Sequence, residues 1–320
     1  MPLTFDMPYD ELETYNGINP QPNDFDNYWT DAIDEMKAVD PQVELIPADF
    51  QTNFADCFHM YFTGVKGARI HAMLLRPKQL QENHPAVVMF HGYSGNAGSW
   101  MEKLPYVAQG FVVAALDCRG QGGLSEDVGG HVGTTHHGHI IRGLDGDSQN
   151  MLFRHIFLDT AQLAGIVMDF PEVDENRVGA TGGSQGGGLT IACSALEPRI
   201  KRAAPIFPFL TDYQRVWEMD QAKDAYAELH RYFRNHDPLH ERETEIFTKL
   251  GYIDVQHLAD RIQAEVLMGV GLMDTICPPS TQFAAYNKIT SSKSLAVYPD
   301  YGHEGLPGMN DRIFQFLSDL

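Results

Sequence analysis

With 43 acidic against 23 basic side chains, the 320-residue chain carries a formal net charge of -20, which repels a phosphate backbone or an anionic membrane surface and argues against nucleic acid as a partner. A hydrophobic fraction of 43% with 21% charged residues fits a globular protein with a substantial core and excludes a disordered chain. No apolar run approaches the ~18 residues of a membrane span, Met1 to Asp6 shows no basic start followed by an apolar stretch, and the four scattered cysteines form no CxxC pair, so we expect a soluble cytoplasmic protein with free, buried thiols.

In chain order, Phe25, Trp29, Ile33 and Met36 recur at helical spacing and predict a helix over Asp24 to Ala38 with one apolar face. Val43 to Ile46, Ala55 to Phe62 and Ala68 to Leu75 are short runs with partial alternation, separated by turn residues, and predict an antiparallel edge. From Pro85 onward the apolar runs become continuous: Ala86 to Phe90, Phe111 to Leu116, Arg177 to Thr181, Ala203 to Phe207, Val266 to Val270 and Leu295 to Tyr298. Such runs suit strands covered on both faces, and helix-forming material between them gives the βαβ pattern of a parallel sheet. The clearest helices are Met151 to Phe170, Gln185 to Leu196, Gln282 to Ile289 and Asp311 to Leu320. Leu210 to Ala264 is polar and mostly helical in pattern, with Pro238 as a break, and reads as an insertion over the sheet. We find no repeat and no shift of composition that would divide the chain, so residues 1–320 are expected to form one α/β domain with a helical insertion at about 210–264.

Gly182-Gly183-Ser184-Gln185-Gly186 fits G-x-S-x-G between a predicted strand and a predicted helix. Alone, the pentapeptide also fits a packing turn or a phosphate cradle. In its strand-turn-helix context it predicts a nucleophile elbow of the α/β-hydrolase fold, with Ser184 as nucleophile and Gly182 and Gly186 supplying the room that the sharp turn demands. A serine hydroxyl needs a base, and the base an orienting group; in this fold the order is Ser, then Asp or Glu, then His. Of fourteen histidines, His303 lies beyond Ser184 on a loop after a predicted strand near the chain end, whereas His230, His236, His240 and His257 fall in the insertion. Asp274, after the strand Val266 to Val270, is the favoured orienting carboxylate; Asp300, three residues before His303, is the alternative and equally fits a turn. The oxyanion requires two donors, and the backbone N–H of Gln185 and of Tyr93, in the loop after Ala86 to Phe90, occupy the expected positions. The histidines of the 131–139 loop lack HExxH or Cys/His ligand spacing, and Gly120-Gln121-Gly122 lacks the rest of a dinucleotide signature, so neither a metal nor a cofactor is expected.

Arg119-Gly120-Gln121-Gly122, Gly182-Gly183-Ser184-Gln185-Gly186 and His303-Glu304, in that order, resemble the RGQ, GxSQG and HE motifs of the acetyl xylan esterase and cephalosporin C deacetylase family. Phe25-Asp26-Asn27-Tyr28-Trp29 and Gly138 to Gly143 extend the resemblance over nearly the whole chain. The resemblance implies metal-independent removal of acetyl groups from small sugars such as xylo-oligosaccharides, and from acetylated antibiotics such as cephalosporin C. It also implies an intracellular ring-like hexamer whose sites face an inner cavity, with Ser184, Asp274 and His303 as the triad, Tyr93 and Gln185 as oxyanion donors, and Arg119 and Gln121 in support. The rivals are a general carboxylesterase, a serine peptidase of the same fold, and a non-catalytic binding protein that retains the fold.

Overall fold

A computed structural model describes residues 5–79, 83–133 and 135–320. Its strands are β1 (Glu44–Pro47), β2 (Ala55–Thr63), β3 (Arg69–Pro77), β4 (His84–Phe90), β5 (Val112–Leu116), β6 (Glu126–Asp127), β7 (His131–Val132), β8 (Val173–Gly183), β9 (Arg202–Ile206), β10 (Glu265–Gly271) and β11 (Lys293–Tyr298). Nine of them form one sheet in the order β1-β2-β3-β5-β4-β8-β9-β10-β11, while β6 and β7 make a separate small hairpin. The first three strands pair antiparallel, β3 joins β5 antiparallel, and every pairing from β5 across to β11 is parallel. The sheet is therefore mostly parallel with an antiparallel N-terminal edge.

The helices are α1 (Tyr9–Leu12), α2 (Phe25–Lys37), α3 (Leu104–Ala108), α4 (Leu152–Met168), α5 (Gln185–Leu196), α6 (Tyr213–Glu218), α7 (Ala227–His236), α8 (Glu243–Leu250), α9 (Pro279–Lys288) and α10 (Met309–Ser318). Period-2 alternation divides each central strand between two cores: Ala86, Val88 and Phe90 of β4 join the layer of α2, α4 and α5, and Val87 faces the layer of α3 and α10. Continuous apolar runs arise because both faces are covered. Helix α4 is buried on all sides apart from Gly165, so its sequence is apolar around most of its circumference. On α2, Phe25, Trp29 and Met36 are buried as their spacing predicts, and Trp29 stacks on Phe157 of α4 at 5.9 Å.

Several element boundaries differ from the sequence reading. Strand β8 begins at Val173, because the polar residues 174–177 extend past the two-faced core, where alternation no longer reports burial. Helix α9 begins at Pro279, which suits a first helical turn since its missing N–H has no intrahelical partner there. Short α1 and α3 carry too few turns to leave a periodic signal. The stretch between β9 and β10 is helical: α6, α7 and α8 are followed by three single 3₁₀ turns, and α7 stops two residues before Pro238. Among the described residues no helix is long and apolar enough to cross a membrane. All four cysteines are buried and free.

Candidate active site

Strand β8 passes into α5 through a turn whose central residue, Ser184, holds φ 59° and ψ -119°. A residue with a Cβ pays for that backbone with strain, which persists here because the surroundings fix it. The Ser184 N–H donates to the Ile206 carbonyl at 3.0 Å, and the Ser184 carbonyl accepts from Phe209 N at 3.0 Å and Gly188 N at 3.1 Å. Glycine is required on both sides by space. A Cβ on Gly182 would lie 2.5 Å from the Phe90 carbonyl oxygen and 2.6 Å from that of Gly186, and one on Gly186 would collide with the Phe90 carbonyl.

The turn lifts the Ser184 hydroxyl to 2.9 Å from His303 Nε2. His303 Nδ1 lies 2.8 Å from Asp274 Oδ2, so Nδ1–H donates to the carboxylate and Nε2 is left to accept from serine. Asp274 is fully buried, whereas His303 and Ser184 are half-buried. The other Asp274 oxygen accepts from the N–H groups of Ile276 at 2.9 Å and Cys277 at 2.8 Å, while Gln282 Nε2 donates to Oδ2 at 3.2 Å. Asp300, the alternative from sequence, is exposed and makes no hydrogen bond to His303.

Two loops must be held together for this line to form. Met273 N donates to the Tyr301 carbonyl at 3.0 Å and Leu272 N to the Tyr298 carbonyl at 3.0 Å, strapping the loop after β11 to the loop after β10. Gly271 permits the crossing, since a Cβ there would meet the Gly302 carbonyl oxygen at 2.8 Å. The Phe207 ring packs on the His303 imidazole at 4.5 Å between centroids.

The loop after β4 approaches the elbow from the other side. Cys118 N–H donates to His91 Nε2 at 3.0 Å, and Ser94 N–H donates to Gln121 Oε1 at 2.9 Å. Gln121 and Gln185 exchange side-chain amide hydrogen bonds at 2.9 and 3.1 Å, so the RGQ segment ties the loop to the residue after Ser184. Among the described residues the backbone N–H groups of Tyr93 and Gln185 find no protein acceptor, which leaves both able to serve an external oxygen. Arg119 does not reach this cluster. It is fully buried and makes a two-pronged ion pair with Asp159 of α4, at 2.7 and 2.6 Å, and donates to the Val65 carbonyl at 3.2 Å. Its support is therefore to the packing of its loop on α4.

Several groups here carry no motif. Asp117 anchors two loops by accepting from Ala97 N at 2.7 Å and Leu124 N at 2.8 Å, with His71 Nδ1 at 2.7 Å. Glu228 of α7 accepts the Tyr93 hydroxyl proton. Of the 131–139 loop, His131 is exposed on β7, whereas His139 is buried with its ring edge-on to Tyr93 at 5.0 Å, and burial lowers its pKa to about 4. Asp274, Cys277 and His303 bring ligand-type atoms within 4.8 Å of one another. Asp274 and His303 are already engaged with each other, and burial holds the Cys277 thiol well above its usual pKa.

The chain is similar to known proteins in sequence and fold. The family model described as acetyl xylan esterase (AXE1) matches residues 1–320. The crystal structure of acetyl xylan esterase 1 from Thermoanaerobacterium sp. JW/SL YS485 is similar at 62% identity and TM-score 0.95, covering 98% of this chain and 99% of that one. An acetyl xylan esterase from Paenibacillus sp. R4 follows at 34% identity and TM-score 0.91, again covering 98% and 99%. Acetyl esterase Axe7A of Xylanibacter ruminicola is 27% identical over 294 residues, 88% of this chain, and the chain spans 63% of that relative's length. Acylaminoacyl peptidase of Pyrococcus horikoshii shares only the fold, at 17% identity and TM-score 0.58. From the full-length family match and the near-complete overlap with a 62% identical structure, the chain belongs to the acetyl xylan esterase family, a family of carboxylic ester hydrolases with the α/β-hydrolase fold.

Proposed function

We propose that the chain is a serine esterase that removes acetyl groups from small acetylated carbohydrates, xylo-oligosaccharides foremost, through an acyl-enzyme intermediate. The observation that carries the reading is the hydrogen-bonded line Ser184–His303–Asp274 at a strained elbow, beside the free N–H groups of Tyr93 and Gln185. Ser184 Oγ attacks the acetyl carbonyl carbon as His303 Nε2 takes its proton, and Asp274 stabilises the imidazolium through Nδ1–H. The carbonyl oxygen becomes an oxyanion held by the Tyr93 and Gln185 N–H groups. Collapse breaks the bond to the sugar oxygen, which leaves with the proton from His303. Water, deprotonated by His303, then attacks the acetyl-serine, and acetate departs as Ser184 regains its proton.

The substrate class is supported by the acetyl xylan esterase relatives. Acetylated antibiotics such as cephalosporin C present the same small acetyl ester and belong to the proposed range. The chain acts as one domain over 1–320, with 210–264 as its helical insertion, in the cytoplasm and as a hexamer. Light scattering is expected to give six times the 35.8 kDa chain mass; a monodisperse monomer rejects that assembly.

A general carboxylesterase and a serine peptidase would use the same triad, so acyl size decides. A site closed around acetyl must displace packed atoms for each added methylene, and overpacking costs about 1–3 kcal/mol. Two methylenes are expected to lower kcat/KM by about 30-fold to 10⁴-fold from acetate to butyrate. A p-nitrophenyl ester series from acetate to octanoate, read below saturation, measures this. A flat profile, or a maximum at butyrate or longer, replaces the deacetylase reading with a general carboxylesterase.

A further inference from the structure

We infer that Glu228, on the insertion helix α7, is a positioning residue that aims the Tyr93 backbone N–H at the reacting carbonyl oxygen by gripping the Tyr93 side chain. This rests on the serine esterase reading of the same site.

The loop after β4 is fixed by hydrogen bonds on either side of Tyr93. His91 is held by Cys118 N–H at 3.0 Å, Ser94 N–H by Gln121 at 2.9 Å, and Gly122 N–H donates to the Gly95 carbonyl at 3.0 Å. Tyr93 lies between these ties, and its own N–H has no protein acceptor among the described residues. The Gly92 carbonyl, in the same peptide plane as that N–H, accepts from Gly95 N–H at 3.0 Å and lies 2.7 Å from His91 Nδ1, and the Tyr93 side chain adds the tie that reaches outside the loop. The hydroxyl donates to Glu228 Oε1 and accepts from His139 N–H at 3.5 Å, while the ring lies edge-on to His139 at 5.0 Å and to Phe209 at 5.6 Å.

Glu228 is built for that grip. It is 3% exposed, and among the described residues no cation pairs with it. Its second oxygen accepts from the N–H groups of Ile140 at 2.7 Å and Ile141 at 3.0 Å. One carboxylate therefore joins three segments far apart in sequence: the first turn of α7, the oxyanion loop and the 138–141 loop. A buried carboxylate satisfied only by donors specifies their positions closely, since each donor left unpaired would be penalised. Glutamine has the same shape but turns one acceptor into a donor, so either the two isoleucine N–H groups lose their acceptor or the Tyr93 hydroxyl must turn to accept, and its proton loses the carboxylate.

The test compares Glu228→Gln, Tyr93→Phe and the double variant on an acetyl ester, with active sites counted by a fluorophosphonate that labels Ser184. Losing an oxyanion donor outright costs ~10²–10³-fold in kcat, so mis-aiming one is expected to cost about 10- to 100-fold per titrated site, with KM within about threefold. Because both residues act through one hydrogen bond, the double variant is expected to be no slower than the slower single one. A kcat per titrated site within twofold of wild type in both single variants overturns the inference, as does a multiplicative loss in the double. If Glu228→Gln fails to fold, Tyr93→Phe decides alone, since it removes only the hydroxyl. Wild-type protein that is active but not labelled at Ser184 overturns the serine esterase reading itself, a result distinct from normal labelling with an unaffected kcat.

Discussion

Replacing Ser184 with alanine is expected to lower kcat for acetyl-ester hydrolysis by about 10⁵- to 10⁶-fold while leaving the fold in place. The proposed route depends on the bond from Oγ to the acetyl carbon, and alanine has no atom to form it. The small residual rate would come from the N–H groups of Tyr93 and Gln185, which still polarise a bound ester toward water. Stability changes little, because alanine keeps the Cβ and inherits the same φ of 59°. What is lost is one half-buried hydrogen bond to His303, a matter of about 1 kcal/mol. Steady-state kinetics and a thermal melt on one preparation check both halves. Near wild-type turnover by the folded variant would remove Ser184 from the chemistry.

The physical demands behind the site explain which parts the sequence exposed. A strand-to-helix elbow needs glycine where backbones meet, and Gly182 and Gly186 answer to the Phe90 carbonyl, so the motif is local and readable. The parallel strands are equally readable, since burial on both faces turns β4 and β5 into unbroken apolar runs. His303 and Asp274 could be ranked by chain order, although their hydrogen bond depends on the close crossing at Gly271, which no pattern announces. Glu228 left no signal at all. It is a polar position on an amphipathic helix, 135 residues from Tyr93, and only the docking of α7 gives it a partner. Arg119 illustrates the converse: its motif was visible, but its Asp159 partner sits on a helix buried nearly all round, so its structural role emerged only from the packing.

Asp274→Asn is expected to lower kcat by about 10⁴-fold, as the equivalent change does in a Ser-His-Asp protease, whereas Asp300→Asn changes it less than about threefold. The contrast follows from what each carboxylate touches. Asp274 Oδ1 accepts two backbone N–H groups, from Ile276 and Cys277, at 2.9 and 2.8 Å. An asparagine there keeps its carbonyl oxygen on those two fixed donors and turns its amide nitrogen toward His303 Nδ1 and Gln282 Nε2. Facing a donor, the imidazole must place its proton on Nε2, where it points at Ser184 and can no longer accept the serine proton. The imidazolium also loses its buried counter-charge. Together these amount to about 5 kcal/mol of lost transition-state stabilisation. Asp300 is exposed and unbonded to His303, so neutralising it alters only a screened surface charge. The two variants measured side by side on one acetyl ester decide the assignment, and the reverse ranking would transfer the orienting role to Asp300.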